Sequence, residues 1–198
     1  PVTACCLVLL NACSAPVDTT AHSPLDVSSE PTTPVSVVVR TAVVTEGTNM
    51  AATVVGEQRI ISLQGRLFRL DESGQGVALT DAYFDAREPQ LSPDGSTVVF
   101  HGYRSGNWDI WEHHLKTGLT TQLTKDSYDD REPQYGAGGV VFSSDRTDTY
   151  DIWAVQEGEL RQITNTQGNA YSPSVSASGE LAYVSARAGI SRLMIGND

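Results

Sequence analysis

A self-similar period of roughly 40–45 residues, four short apolar runs separated by turn chemistry within each period, and no sustained helical periodicity predict an all-β chain. The fold class they point to is a β-propeller of four-stranded antiparallel blades. The period is carried by fixed landmarks. Glu88-Pro89 returns 44 residues on as Glu132-Pro133, Asp109-Ile110-Trp111 returns 42 on as Asp151-Ile152-Trp153, and Gly139 returns 40 on as Gly179. Strands this short are not stable alone, so they must stack as blades around an axis.

The chain opens PVTACCLVLLNACSAP. Ala4 to Leu10 looks like the end of a signal-peptide apolar region, and Leu10-Asn11-Ala12-Cys13 resembles the lipidation motif of bacterial lipoproteins. The expectation is a lipidated Cys13, with residues 1–13 a leader whose start is missing. The plainer alternative is a buried apolar strand with incidental cysteines. The run is too short to span a bilayer. Cys5, Cys6 and Cys13 all lie here, so the body should have neither a disulfide framework nor a thiolate metal site. Residues 14–34, rich in Pro, Ser, Thr and Asp, cannot offset their ordering entropy and predict a disordered tether. By resemblance to Gram-negative lipoproteins, Ser14 after the lipid-bearing Cys implies the outer membrane.

Residues 35–198 carry the blades. Val35 to Val44 is a β-branched run and an expected strand. Ala52–Val55, Arg59–Leu63, Arg66–Leu70 and Val77–Thr80 form a degenerate first blade, with Gly65 at a tight hairpin and Leu79-Thr80 matching Leu123-Thr124. In the next repeat a strand around Pro89-Gln90-Leu91 precedes a Ser92-Pro93-Asp94-Gly95 turn. Strands follow at Thr97–His101, Asp109–His113 and Thr120–Thr124. Val98 and Phe100 share one face, a pair repeated by Val140 and Phe142 and by Leu181 and Tyr183. Three blades are complete, and a fourth stops after its third strand. Either Val35 to Val44 supplies the missing strand and closes a four-bladed ring, or the chain is a piece of a larger propeller; the second is the preferred expectation, although an open arc leaves sheet edges unpaired.

The repeats resemble the TolB-like β-propeller repeat, a WD40-like unit of bacterial envelope proteins. The residues concerned are Glu88-Pro89, Ser92-Pro93-Asp94-Gly95, Arg104-Ser105-Gly106 and Asp109-Ile110-Trp111. A second copy matches at Glu132-Pro133, Ser144-Asp145-Arg146 and Asp151-Ile152-Trp153, with Gly136-Ala137-Gly138-Gly139 where Ser-Pro-Asp-Gly is expected. The third keeps Ser172-Pro173 and Arg187 and has Arg192-Leu193-Met194 in place of Asp-Ile-Trp. The resemblance implies the fold, an envelope address on the periplasmic side and contact with envelope proteins. It implies no particular chemistry, because propellers host many unrelated functions.

In a propeller, the loop entering each innermost strand and the hairpin between the second and third strands share one face. That face concentrates Asp85, Arg87 and Glu88 and, one repeat later, Asp129, Asp130, Arg131 and Glu132; Asn169 and Tyr171 match them in the last blade. The hairpins add Arg104, Arg146 and Arg187. Guanidinium forks suit the carboxylates of a peptide. The candidate partner-binding set is therefore Asp85, Arg87, Glu88, Asp129, Arg131, Glu132, Arg104 and Arg146. The plainer reading is that these charges pair with one another and pin adjacent blades. Asp85, Asp129 and Asp130 are hard oxygen ligands of the kind Ca²⁺ takes, although no EF-hand loop is present and no cofactor is otherwise expected.

A catalytic set is not expected, since neither Gly-x-Ser-x-Gly nor His-Glu-x-x-His occurs. His113 and His114 are neighbours on a strand and point to opposite faces. His101, at a strand end near the candidate face, reads as structural or exposed. Trp111 and Trp153 share a repeat position beside Ile and predict blade core, while Trp108 is the candidate for exposure. A net charge of −11 argues against nucleic acid and anionic headgroups as surface-charge partners. The resulting expectation is a non-catalytic cell-envelope lipoprotein, held at the outer membrane by an N-terminal lipid, whose propeller binds an envelope protein or peptide through one face. The alternative is the propeller portion of a larger envelope enzyme, a peptidase or a polysaccharide lyase.

Overall fold

The structure, a computed structural model, describes residues 50–104, 106–136 and 138–196. Lipidation at Cys13, the tether and the Val35–Val44 strand lie outside those residues. Four antiparallel sheets follow one another, each a meander whose order in space is its order in sequence. The first holds β1 (Ala51–Val55), β2 (Gln58–Leu63), β3 (Arg66–Leu70) and β4 (Gly76–Ala78). The second holds β5 (Ala86–Leu91), β6 (Thr97–Tyr103), β7 (Trp108–His114) and β8 (Thr120–Gln122). The third holds β9 (Asp130–Gly136), β10 (Gly139–Ser144), β11 (Asp151–Gln156) and β12 (Glu159–Gln162). The fourth holds β13 (Asn169–Val175), β14 (Leu181–Arg187) and β15 (Ile190–Ile195). This is the all-β blade architecture that the repeat predicts. Among the described residues no helix is long and apolar enough to cross a membrane.

Local chemistry sets the hairpins. Gln64 and Gly65 both have positive φ, as do Glu157 with Gly158 and Ala188 with Gly189. Two such residues in succession match the right-handed twist of the strands they join. In the Ser-Pro-Asp-Gly turn, the Ser92 hydroxyl donates to Asp94 Oδ1 at 2.5 Å and accepts from the Ser96 and Thr97 amides at 3.1 and 3.0 Å. A threonine after each outermost strand latches it inward. The hydroxyls of Thr80, Thr124 and Thr164 accept the amides of Leu67, Ile110 and Ile152 at 2.9–3.0 Å.

The apolar core lies between blades. Ile60, Leu67, Phe84, Leu91, Val98, Phe100 and Trp111 fill the seam of the first and second blades. Val99, Ile110, Val140, Phe142 and Val155 fill the next, with Trp153 packed against them. Val141, Ile152, Ala154, Ala170, Leu181 and Tyr183 fill the third. Trp111 and Trp153 thus both face seams. A middle blade has a neighbour on each side, so β6 is buried on both faces, with Val98 and Phe100 toward the first blade and Val99 toward the third. On β15 of the last blade, Ile190, Leu193 and Ile195 remain exposed.

Candidate functional site

The innermost strands of the last three blades share one irregularity. Glu88, Glu132 and Ser172 have φ of 48°, 56° and 53°, in the left-handed region. Each precedes a proline, and strand pairing shifts there. Pro offers no N–H to a ladder and is tolerated at such a bulge, which also re-aims the adjoining side chain. Ser172-Pro173 therefore stands in register with Glu88-Pro89 and Glu132-Pro133. The turn equivalent to Ser92–Gly95 is Ser176–Gly179, closed by the same Gly N–H to Ser carbonyl bond.

The bulges at Glu88 and Glu132 border a cavity of about 220 Å³, lined by Met50, by Ala51 and Ser62 of the first blade, by Arg87, Glu88 and His101 of the second, and by Arg131 and Glu132 of the third. Arg87 forks onto Asp85, Nε to Oδ1 and an NH2 to Oδ2, both at 2.9 Å. Arg131 donates to Asp129 Oδ2 at 2.8 Å. Both guanidiniums lie over the indole ring of Trp108, 4.8 and 5.0 Å from its centroid. Cation–π attraction thus holds two positive side chains from different blades against one ring. Asp129 Oδ1 accepts the Trp108 amide at 3.2 Å, which fixes the third blade's entry loop to the strand bearing the ring.

His101 is 5% exposed and meets Trp108 edge to face at 5.0 Å. Its Nδ1 accepts the Glu132 amide at 3.3 Å, which puts the ring proton on Nε2. Burial, then the charges of Arg131 and Arg87, push its pKa down to about 3, so the ring stays neutral. Glu88 Oε2 stands 3.8 Å from that Nδ1, an ion-pair distance without an ion pair, because the imidazole carries no charge. Burial, followed by the charge of Glu132, raises the Glu88 pKa.

The two glutamates have different surroundings. Glu132 Oε2 accepts the Ser172 amide at 2.6 Å and the Ser143 hydroxyl at 2.5 Å, and its Oε1 accepts the Ser172 hydroxyl at 3.2 Å. It ties the third blade to the fourth. Glu88 accepts no hydrogen bond among the described residues. His101 and Ser143 hold the same repeat position, opposite Arg87 and Arg131 respectively.

The structure thus brings together Arg87, Glu88, Arg131 and Glu132 at the cavity, with Asp85 and Asp129 holding the two arginines. Arg104 lies apart, 3.4 Å from Asp81 and over Phe84. The Arg146 side chain is 9% exposed: one NH2 lies 2.8 and 2.9 Å from the Asp130 oxygens, NH1 lies 3.2 Å from Asp126, and Nε donates to Ser144 at 2.8 Å. That group pins strands and does not border the cavity. Asp85, Asp129 and Asp130 are each engaged by a different guanidinium. Among the described residues no cluster of three or more His, Cys, Asp or Glu is placed to hold a metal ion. His113 is buried on Thr120 at 2.7 Å, while His114 is partly exposed on the other face. His101, read from the sequence as structural or exposed, is a buried cavity residue with a structural bond, and the candidate site did not include it; its signal is a histidine where the next repeat has serine.

No family model matches the chain. An uncharacterised protein of Agrobacterium fabrum, Atu1656, is 30% identical over 93 residues, which are 45% of this chain and 32% of that protein. Among solved structures, TolB from Acinetobacter baumannii superposes with a TM-score of 0.62 at 20% identity, over 74% of this chain and 40% of TolB. A puromycin-hydrolysing peptidase of Mycobacterium tuberculosis gives 0.59 at 17% identity, over 74% of this chain and 28% of the peptidase. The chain spans less than half the length of each of these proteins. What the likenesses establish is the fold: the four described blades are a TolB-like β-propeller arc.

Proposed function

We propose that the chain is a non-catalytic binding module of the bacterial cell envelope, on the periplasmic side, that docks a protein or peptide at the cavity between its first three blades. The observation that carries this reading is the cavity itself: both copies of the Arg-Glu motif, from two blades, converge on one concave site with Trp108 beneath the arginines. A concave site with a few convergent polar groups is where a ligand is expected to bind. The envelope address is supported by the lipoprotein-like stretch ending at Cys13 and by the TolB-like fold; anchoring at the outer membrane through Cys13 is part of the same proposal.

The test is a pull-down from envelope extract with the 198-residue chain and with its Arg87→Ala/Arg131→Ala variant, after their melting midpoints have been compared. A folded variant that loses a partner supports the reading. A folded variant that keeps every partner sinks it, and a variant that melts early gives these arginines a purely structural role. A second reading has one observation of its own: the arc also superposes on part of a peptidase. A propeller serving a larger enzyme would gate or position substrate for chemistry supplied elsewhere. A hydrolase domain in the full reading frame would favour it.

A further inference from the structure

The repeat provides an internal control for what each bulge glutamate does. In the third blade the carboxylate of Glu132 is a structural acceptor for the bulge amide of the next blade, Ser172, at 2.6 Å. By register, Glu88 should do the same for the bulge amide of Glu132. It does not: that amide donates to His101 Nδ1 at 3.3 Å. A histidine replaces the serine at the repeat position, reaches across the seam and takes over the inter-blade bond. The displaced carboxylate borders the cavity, half exposed, with no hydrogen bond among the described residues.

The surrounding charges decide what it can hold. Arg87 and Arg131 are the guanidiniums at the cavity, and each already has an aspartate as counter-ion, Asp85 or Asp129. Glu88 and Glu132 remain, and the imidazole between them is neutral. Among the described residues, four carboxylates against two guanidiniums leave the mouth negative, and Glu88, the one of the four that accepts no hydrogen bond there, is raised in pKa by burial and by the like charge of Glu132. A cation entering here would relieve that repulsion and fill the vacant lone pairs; an anion would have to displace an aspartate first. No third protein ligand stands nearby to complete a metal shell among the described residues, so the fitting cation brings its own N–H donors.

We infer that Glu88 is the recognition group for a cationic side chain of the docked partner, a lysine ammonium or an arginine guanidinium, freed for that role by the His101–Glu132 bond. This deepens the docking proposal above and rests on it.

The experiment is a titration of the ¹⁵N-labelled 198-residue chain, following the Trp108 indole N–H, assigned with Trp108→Phe. The probes are Nα-acetyl-lysine amide, Nα-acetyl-arginine amide and, for opposite charge, Nα-acetyl-glutamate amide. The cationic probes should shift the signal saturably, and Glu88→Gln should weaken them by about tenfold or more, as truncating one partner of a charged contact does. Glu88→Gln should keep the wild-type melting midpoint, because Glu88 accepts no hydrogen bond among the described residues. Glu132→Ala should melt earlier, because it loses the tie to Ser172. Saturation by the glutamate probe alone overturns the inference, as do full cation affinity in Glu88→Gln, early melting of Glu88→Gln, or no saturation by either cationic probe. In each of those cases the docking reading still stands or falls separately, by whether Arg87→Ala/Arg131→Ala keeps its partners.

Discussion

Replacing Arg146 by Ala removes the one counter-charge held, among the described residues, directly against a fully buried carboxylate. Asp130 is 0% exposed and receives a guanidinium fork at 2.8 and 2.9 Å. The same side chain lies 3.2 Å from Asp126, donates to Ser144 and covers the Trp153 ring at 4.9 Å. Breaking a buried pair from one side leaves an uncompensated charge and costs about 3–5 kcal/mol. Urea unfolding at pH 7, read by Trp emission, should show a loss of that size. Replacing both partners, Arg146→Met with Asp130→Leu, should recover most of it, because the desolvation penalty leaves with the charges. The pH dependence has a definite sign. Burial already raises the Asp130 pKa despite Arg146, and loss of Arg146 raises it further. Between the unfolded value, about 3.9, and the folded value the native state holds more protons than the unfolded one. Stability therefore falls as pH rises through that window, and the deficit of Arg146→Ala should be smallest at its acid end. A deficit below about 1 kcal/mol at pH 7, the size of an exposed pair, would refute the reasoning. So would a deficit that grows toward pH 4.

Trp111→Ala should cost about 3–5 kcal/mol, since the ring is 9% exposed and meets Phe84 edge-on at 4.7 Å; Trp108→Ala should cost clearly less, and denaturant midpoints decide the order. Gly102→Ala places a Cβ 2.7 and 2.8 Å from two Phe84 ring carbons and should lower stability by about 1–3 kcal/mol; an unchanged melting midpoint would show that Phe84 can move aside. Asp109, 1% exposed, has its pKa pushed up to about 6 by burial and then by Asp130 and Asp126. Its burial should make stability fall by about 2 kcal/mol as pH rises from about 4 to 6, and Asp109→Asn should flatten that part of the profile.

The blades were legible because their signals are local. Asp109-Ile110-Trp111 and Asp151-Ile152-Trp153 mark equivalent strands, and Val98 with Phe100 marks one buried face. Burial of Val99 was less visible, because alternation assigns it outward and only a second neighbouring blade covers it. The cavity was half legible. The duplicated Arg-Glu pairs show in the sequence, but their division of labour does not. Whether Glu88 or His101 meets the Glu132 amide is settled 31 residues away, by side-chain reach across a seam. Arg146 looked like a surface charge because its hairpin belongs to the candidate face; only the packing of Asp126, Asp130 and Trp153 around it takes it inside.

The three apolar seams couple each blade only to its neighbours, so the described arc behaves as a linear chain of cooperative units. The second and third blades are gripped from both sides, while among the described residues the fourth has one grip and one strand fewer. Amide exchange should therefore slow toward the middle of the arc and quicken at its last blade. A partner seated at the cavity touches the first three blades at once and would fuse them into one longer unit. Occupancy would then be written into the protection of amides far from the contact, with the fourth blade left to open on its own.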